Sequence, residues 1–303
     1  MRTNADGHPV LRVATLNLLA HPYALRERVD RLVAELRGED VDILLLQEVL
    51  RRKQAKFNVP AVLADALGMP HYADHHISGR SSGNVTLSRT PLHRLRFDVG
   101  DRRMLATGTI VNGRRVVVIN NHGAWGSFAG AARLEEAFLA DRIARAGFDA
   151  YSPNPEKGYR PHRDERPIVI YGGDLNTGPD STPIRYLTGR DVVNGQSTFW
   201  MDAWDAAPAG AAGHTIHPTV WSEIEYGDRT DTPYLPGRHP RERFDYLLVH
   251  EWSYGHAGDP LRARRFGEGA FRHDGHDLTI SDHLGVIADL YLPEGTLLAA
   301  GGA

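Results

Sequence analysis

The sequence predicts an α/β fold in which two β-sheets pack face to face with helices on the outside. Three observations carry this reading. Several apolar runs rich in β-branched residues read as buried strands. Segments with helical spacing fall between them without the regular alternation of a doubly wound parallel sheet. A chain of 303 residues, 41% hydrophobic, with 31 Gly and 18 Pro, is globular in composition and long enough to bury most of its apolar surface.

The first strand is read at Leu11–Leu19 and the second at Val41–Gln47. Between them, Arg26–Arg37 is helical, because Val29, Leu32, Val33 and Leu36 share one face and Gly38 follows as a stop. A weaker helix covers Val59–Leu67. Strands follow at Gly83–Ser88, Ala106–Val111 and Arg115–Asn120. Ala131–Ala146 is again helical, with Leu134, Phe138 and Ile143 on one side. The strand Pro167–Tyr171, a short helix Thr182–Leu187 and the strands Phe244–Val249 and Val286–Leu292 complete the set. Asp149–Glu165 and Ala206–Arg241 read as long loops rich in Pro, Gly, Arg and His, a length usually tied to function. One domain is expected over residues 10–293, with flexible termini at 1–9 and 294–303.

Composition narrows the chemistry. Cysteine is absent, so no disulfide framework, thiolate metal site or cysteine nucleophile exists. A net charge of −3 argues against a protein that coats nucleic acid or anionic lipid by bulk attraction. No segment is apolar enough to span a membrane. Met1–Pro9 lacks the apolar core of a signal peptide, so a cytoplasmic location is expected, or secretion if a signal has been removed. A monomer is favoured.

The informative residues are polar groups at the ends of buried strands: Asn17, Gln47-Glu48, Asn120-Asn121-His122, Gly172-Gly173-Asp174-Leu175-Asn176, Phe244-Asp245-Tyr246 and Ser281-Asp282-His283. A buried ionisable group costs several kcal/mol unless it is paired or binds a metal. Six such ends converging is how a layered fold builds a site. Glu48, Asp174, Asp245 and Asp282 are hard oxygen ligands suited to Mg²⁺ or Mn²⁺. Asn17 and Asn176 can orient a water or a phosphate oxygen, and His122 and His283 can donate to a phosphoryl oxygen as it gains charge. Gly172-Gly173 gives the backbone freedom for a close approach of substrate. Metal, water-activating carboxylate and donors together describe phosphoester hydrolysis.

This ordered set, with Ser82-Gly83-Asn84 and Leu87-Ser88-Arg89, resembles the endonuclease/exonuclease/phosphatase superfamily over about residues 11–292. The resemblance implies a four-layer α/β sandwich of two packed mixed sheets and a Mg²⁺-dependent phosphoric ester hydrolase. It implies that Glu48 binds the metal, with Asn17 and Asp282 beside it. Asp174 would activate the water with Asn176, His283 held by Asp245 would contact the phosphate, and His122 would be the second such histidine. Asn17, Asn121 and Arg243 are expected to touch substrate. Two positions depart from the pattern. Gly285 replaces the usual proline, and the third strand offers no acid to pair with His122.

A phosphodiester is the first choice of substrate, in nucleic acid or in a small soluble molecule. The alternatives are a small-molecule phosphomonoester, sphingomyelin as in a phospholipase C, or a silent binding protein on the same fold. Candidate substrate-facing bases, where they are not simply solvated surface, are Arg160, Arg163 and Arg166 in one loop, Arg229, Arg238, Arg241 and Arg243 in another, and Arg262, Arg264 and Arg265 in a third. Trp125 and Phe128 follow His122 closely, which leaves two readings: they reach substrate, or they pack the helix that starts near Ala131. His71, His75 and His76 come before the third strand, and His214, His217 and His239 lie in the long loop before Asp245.

Overall fold

Every run read as a strand proves to be one in the computed structural model, which describes residues 2–4, 6–76, 79–96, 104–150, 166–216, 221, 242–250 and 255–295. In chain order the elements are β1 (Val10–Asn17), α1 (Leu25–Leu36), β2 (Ile43–Leu50), α2 (Arg52–Ala55), α3 (Val59–Leu67), β3 (His71–His75), β4 (Ser82–Ser88) and β5 (His93–Arg94). They continue with β6 (Met104–Val111), β7 (Arg114–His122), α4 (Gly130–Ala150), β8 (Ile168–Asp174), α5 (Thr182–Leu187), β9 (Trp200–Asp202) and β10 (Asp245–His250). The last are β11 (Pro260–Phe266), β12 (Phe271–His273), β13 (His276–Leu278) and β14 (Gly285–Tyr291). Among the described residues no helix is long and apolar enough to cross a membrane.

Two six-stranded mixed sheets form the centre, ordered β11-β14-β1-β2-β4-β3 and β5-β6-β7-β8-β10-β9. Alternating residues of single strands serve different layers. Leu11, Val13, Ile43, Leu45, Val116, Val118, Ile168 and Ile170 meet between the sheets. Leu44 and Leu46 face the other way, onto α1 and α3 through Val29, Leu32 and Leu63. Val117, Ile119 and Val169 join Ala140 and Ile143 of α4 and Ile184 of α5. Strands buried on both faces give unbroken apolar runs rather than alternation. The helix ends also follow from sequence. In α3 the Asn58 side chain accepts from the Ala61 N–H at 3.2 Å, and Gly68 closes the helix at φ 62°.

The sheets are fastened through polar groups. Asn120 of β7 donates to the Val85 and Leu46 carbonyls at 2.9 and 3.2 Å, and its oxygen accepts from Gln47 Nε2 at 2.8 Å. All of these atoms are buried, so the network specifies how the sheets sit against each other.

The strands missing from the sequence reading are mostly at edges. β3, β5, β9 and β11 carry mixed or polar side chains, and their pairing rests on the backbone. The Arg262, Arg264 and Arg265 group therefore lies on edge strand β11, not in a loop. Arg264 pairs with Glu39, and Arg265 pairs with Glu268 at 2.7 Å. Charge on an exposed edge discourages further strand addition. β12 and β13 form a hairpin about Asp274-Gly275, whose φ values of 44° and 85° suit a two-residue turn. At the start of the chain Thr3 bridges Pro9, and Arg2 reaches Asp42 at 2.9 Å. Arg160, Arg163, Arg229, Arg238, Arg241, His217 and His239 lie outside the described residues, as does most of both long loops.

The two departing or glycine-rich positions find packing explanations. A Cβ on Gly173, at φ 128°, would fall 2.0 Å from the Asn121 carbonyl oxygen. The neighbouring strand, not an approaching substrate, demands glycine there. A Cβ on Gly285 would fall 2.2 Å from the Phe266 ring, which stands opposite it in the β11–β14 pair. The ring fills the space that any larger residue would need.

Candidate active site

Strand direction gathers the polar ends. β1 and β2 run parallel, with Asn17 opposite Gln47. β7 and β8 run parallel, with His122 opposite Asp174, and antiparallel β10 begins with Asp245 opposite the same Asp174. Glu48, His122, Asp174, Asn176, Asp282 and His283 all line one cleft of about 390 Å³, with Asn84, His75, Arg80 and Trp125.

A register shift aims Glu48. Leu46 pairs with Val85 and Val49 with Gly83, so Gln47 and Glu48 together face Asn84. Such a bulge re-aims side chains. Gln47 goes inward to Asn120, while Glu48, at φ 57°, joins the cleft. Its carboxylate accepts from the Ala20 N–H at 2.8 Å and from Asn17 Nδ2 at 3.3 Å. The same Nδ2 donates to Asp174 Oδ2 at 3.0 Å, so one amide joins an acid from each sheet. The Asn17 oxygen is occupied by the Leu19 N–H at 3.0 Å. Asn17, expected as a metal or substrate ligand, bridges the two acids through its amide nitrogen.

Asp174 is almost fully buried and is held on both oxygens. Oδ1 accepts from the Asn176 N–H at 2.9 Å, and Oδ2 faces Asn176 Nδ2 at 3.3 Å. Asn176, at φ 51°, also donates to the Gly123 carbonyl at 3.1 Å. Left-handed backbone at Glu48 and Asn176 is strain of the kind that collects at working sites.

His283 Nδ1 meets Asp245 Oδ2 at 2.9 Å, and its Nε2 lies 3.7 Å from Asp174 Oδ2. Burial opposes a charge on this imidazole. Asp245, Asp174 and Asp282 outweigh burial and hold His283 well above its usual range. Burial also pushes the Asp245 carboxyl up, against the pull of His283. With three acids around it, His283 is the cation of the pair. Thr215 fixes this corner: its hydroxyl accepts from the Phe244 and Asp245 N–H groups at 2.9 and 3.2 Å, and its carbonyl accepts from the Leu284 N–H at 2.6 Å. Sequence reading missed Thr215, which lies inside a loop with no local signal. It missed Arg80 for the same reason.

His122 Nε2 stands 3.6 Å from both Glu48 Oε1 and Asp174 Oδ2, so the acids it faces come from β2 and β8. Asp282 Oδ1 accepts from the Ser281 hydroxyl at 3.1 Å. Two expected substrate contacts lie elsewhere. Asn121 is buried, donating to the Tyr171 hydroxyl at 3.0 Å and facing Glu136 at 3.4 Å. Arg243 is buried in a two-pronged pair with Asp202 at 2.9 and 2.6 Å, over the Tyr246 ring. Its charge is spent on Asp202. His75 Nδ1 faces Arg94 at 2.7 Å and His76 faces Asp74 at 3.1 Å, so the two are engaged separately.

The donor set fits a hard divalent cation. Glu48 and Asp174 are tied side by side, Asp282 lines the same cleft, and carboxylates suit Mg²⁺ or Mn²⁺. One ligand atom each from Asp174, Asp245 and His283 also lies within 4.8 Å of the others. In that trio the Asp245–His283 hydrogen bond already engages one ring nitrogen.

Known structures share this arrangement of layers. Truncated Caenorhabditis elegans TDP2 superposes with a TM-score of 0.60 at 19% identity, over 93% of this chain and 97% of that one. Sphingomyelinase C from Streptomyces griseocarneus gives 0.58 at 19% identity, over 93% and 99%. D. rerio TDP2 complexed with single strand DNA product gives 0.59 at 16% identity, over 92% and 98%. No curated protein sequence matches the chain. A family model does, across residues 14–283, and that span contains every residue of the cleft from Leu19 to His283. The chain belongs to the Endonuclease/Exonuclease/phosphatase family.

Proposed function

We propose that the protein is a Mg²⁺- or Mn²⁺-dependent phosphodiesterase. One observation carries the reading: the unbroken series Asp245–His283–Asp174–Asn17–Glu48, with neighbours 2.9 to 3.7 Å apart. Phosphoryl transfer to water needs a base for the water, donors for the phosphoryl oxygens and compensation of negative charge. Asp174, oriented on both oxygens, takes the proton of the attacking water. Asn176, beside it, places that water. His283, kept protonated by its acids, donates from Nε2 to a phosphoryl oxygen, and Asp245 fixes the ring through Nδ1. His122 is the second donor. Glu48 and Asp282 would hold the cation, which when bound supplies Lewis-acid stabilisation of the developing charge.

The test is turnover of bis-(p-nitrophenyl) phosphate with Mg²⁺ or Mn²⁺ against EDTA. A panel of plasmid DNA, RNA, sphingomyelin, nucleotides and sugar phosphates follows. Metal-dependent release that Asp174→Asn abolishes, in a variant melting within a few degrees of the parent, is expected. No turnover of any phosphoester with either metal would leave a binding protein on this fold. Preference for sphingomyelin or a monoester would redirect the substrate while keeping the site.

A further inference from the structure

Aromatic and cationic side chains line the same cleft. Trp125 lines it yet remains 70% exposed, and three residues on, Phe128 is fully exposed. Exposed large apolar side chains elsewhere, such as Ile110, Val192 and Leu261, belong to other parts of the chain. Arg80 and His75 also line the cleft, and Arg94 donates to His75 Nδ1 at 2.7 Å, adding a second cation to that side. Arg80 appears in no ion pair among the described residues.

An aromatic ring that is open to solvent and still borders the catalytic groups has no packing task. Burying it in the core would be favourable, so its position calls for a planar partner or an apolar surface. The cations decide between these. Stacking rings interleaved with arginines are how single-stranded nucleic acid is held: bases lie on the rings and flanking phosphates meet the cations. A lipid surface would call for a continuous apolar patch, whereas this cleft is lined mainly by charged, imidazole and amide side chains.

We infer that Trp125 is a specificity-determining residue that stacks on a nucleobase beside the scissile phosphate, with Arg80 taking a neighbouring phosphate of a single strand. This rests on the phosphodiesterase reading for its catalytic consequence and on Trp125 and Arg80 alone for binding.

Two experiments separate those dependencies. The first compares thymidine 5′-p-nitrophenyl phosphate with methyl p-nitrophenyl phosphate, which share a leaving group and differ in the base. The parent should favour the thymidine ester. Trp125→Ala should lower that preference by roughly 5- to 100-fold, chiefly through KM, with Trp125→Phe retaining most of it. The second follows tryptophan fluorescence of the Asp174→Asn protein, titrated with a short oligothymidylate in Mg²⁺. Quenching should occur, should be lost on adding Trp125→Ala, and should weaken with a shallower salt dependence on adding Arg80→Gln.

Quenching without turnover would uphold the stacking role and overturn the enzyme reading. Turnover whose base preference survives Trp125→Ala would overturn the stacking role and leave the enzyme. Trp125-dependent binding to sphingomyelin vesicles with no oligothymidylate quenching would also overturn it, in favour of a lipid surface.

Discussion

Arg28→Lys should loosen the cleft from behind. Arg28, on α1, is fully buried, and its guanidinium lies 4.7 Å from the Trp221 ring centroid. Nε donates to the Ile280 carbonyl at 2.7 Å, Nη1 to His21 at 2.8 Å, and Nη2 to Leu18 and Leu19. The first of these carbonyls directly precedes Ser281-Asp282-His283. The other three belong to the turn whose Ala20 N–H holds Glu48. One planar fork therefore spaces the two halves of the proposed cation site. Lysine keeps the charge but concentrates its donors on one atom and cannot serve both groups of carbonyls. Two buried carbonyls would lose their donor, at about 1–3 kcal/mol each, or about 2–6 kcal/mol together. For a chain this long that lowers Tm by roughly 3–10 °C. A misplaced Glu48 should also cost about 10- to 100-fold in kcat/KM and raise the Mg²⁺ concentration needed for half activity. Calorimetry and bis-(p-nitrophenyl) phosphate kinetics across a Mg²⁺ series measure both effects. An unchanged Tm would refute the hydrogen-bond reasoning. A lowered Tm with unchanged Mg²⁺ dependence would refute the link to Glu48.

Three further outcomes are expected. Asp245→Asn should lower kcat by roughly 10²- to 10⁴-fold, because His283 loses the acid that fixes its tautomer and charge; the Tm should hold or rise, since a fully buried carboxylate has been removed, and a large fall would make Asp245 structural. Gly285→Ala should destabilise the protein and Phe266→Leu should relieve much of that loss, a coupling read by a double-mutant cycle in urea; simple additivity would contradict the contact. Asp141 should govern acid stability. Burial pushes its pKa up, but hydrogen bonds from His250, Arg145 and Thr198 prevail and hold it well below its ordinary value. A depressed folded pKa gives stability that is present above the unfolded value near 4 and lost as pH falls beneath it. Melting temperatures between about pH 5 and pH 2 should fall more steeply in the parent than in Asp141→Asn; parallel curves would count against the assignment.

The central strands were legible because burial on both faces left no room for polar residues until the strand ended. For the same reason the polar residues at those ends stood out. Edge strands left no such mark. Among the missed strands, β12 and β13 did carry a signal, the Asp274-Gly275 dipeptide of a tight hairpin. Within the site, Glu48, His122, Asp174, Asn176, Asp282 and His283 share the cleft. Asn121 and Arg243 do not, although sequence placed them one residue from His122 and two from Asp245. Residue type shows that a side chain can bind phosphate; it does not show which face of the strand it occupies. Nor does it show whether a nearer partner, here Asp202 or Tyr171, has already taken the group. Thr215 and Arg28 act on the site through backbone atoms, which no side-chain pattern reports.

Charge explains why the proposed reaction depends on a cation. Glu48, Asp174, Asp245 and Asp282 lie in or directly behind one cleft, and His283 is the cation paired among them. A phosphodiester is an anion. Approaching a site with this excess of carboxylate, it would meet repulsion that Arg80 and Arg94 at the side could only partly offset. Replacing the acids would remove the repulsion, but also the base for the water and the counter-charge that keeps His283 protonated. A divalent ion held by Glu48 and Asp282, which line the same cleft, would resolve the conflict without giving up either acid. Asn17 fits the same logic. As an amide it links Glu48 to Asp174 without adding a further negative charge, where aspartate, one atom different, would set three carboxylates within about 3 Å of one another. Asn17→Asp should therefore be unstable in EDTA and recover more from added Mg²⁺ than the parent does. A stability that ignores Mg²⁺ would remove the charge argument for the cation.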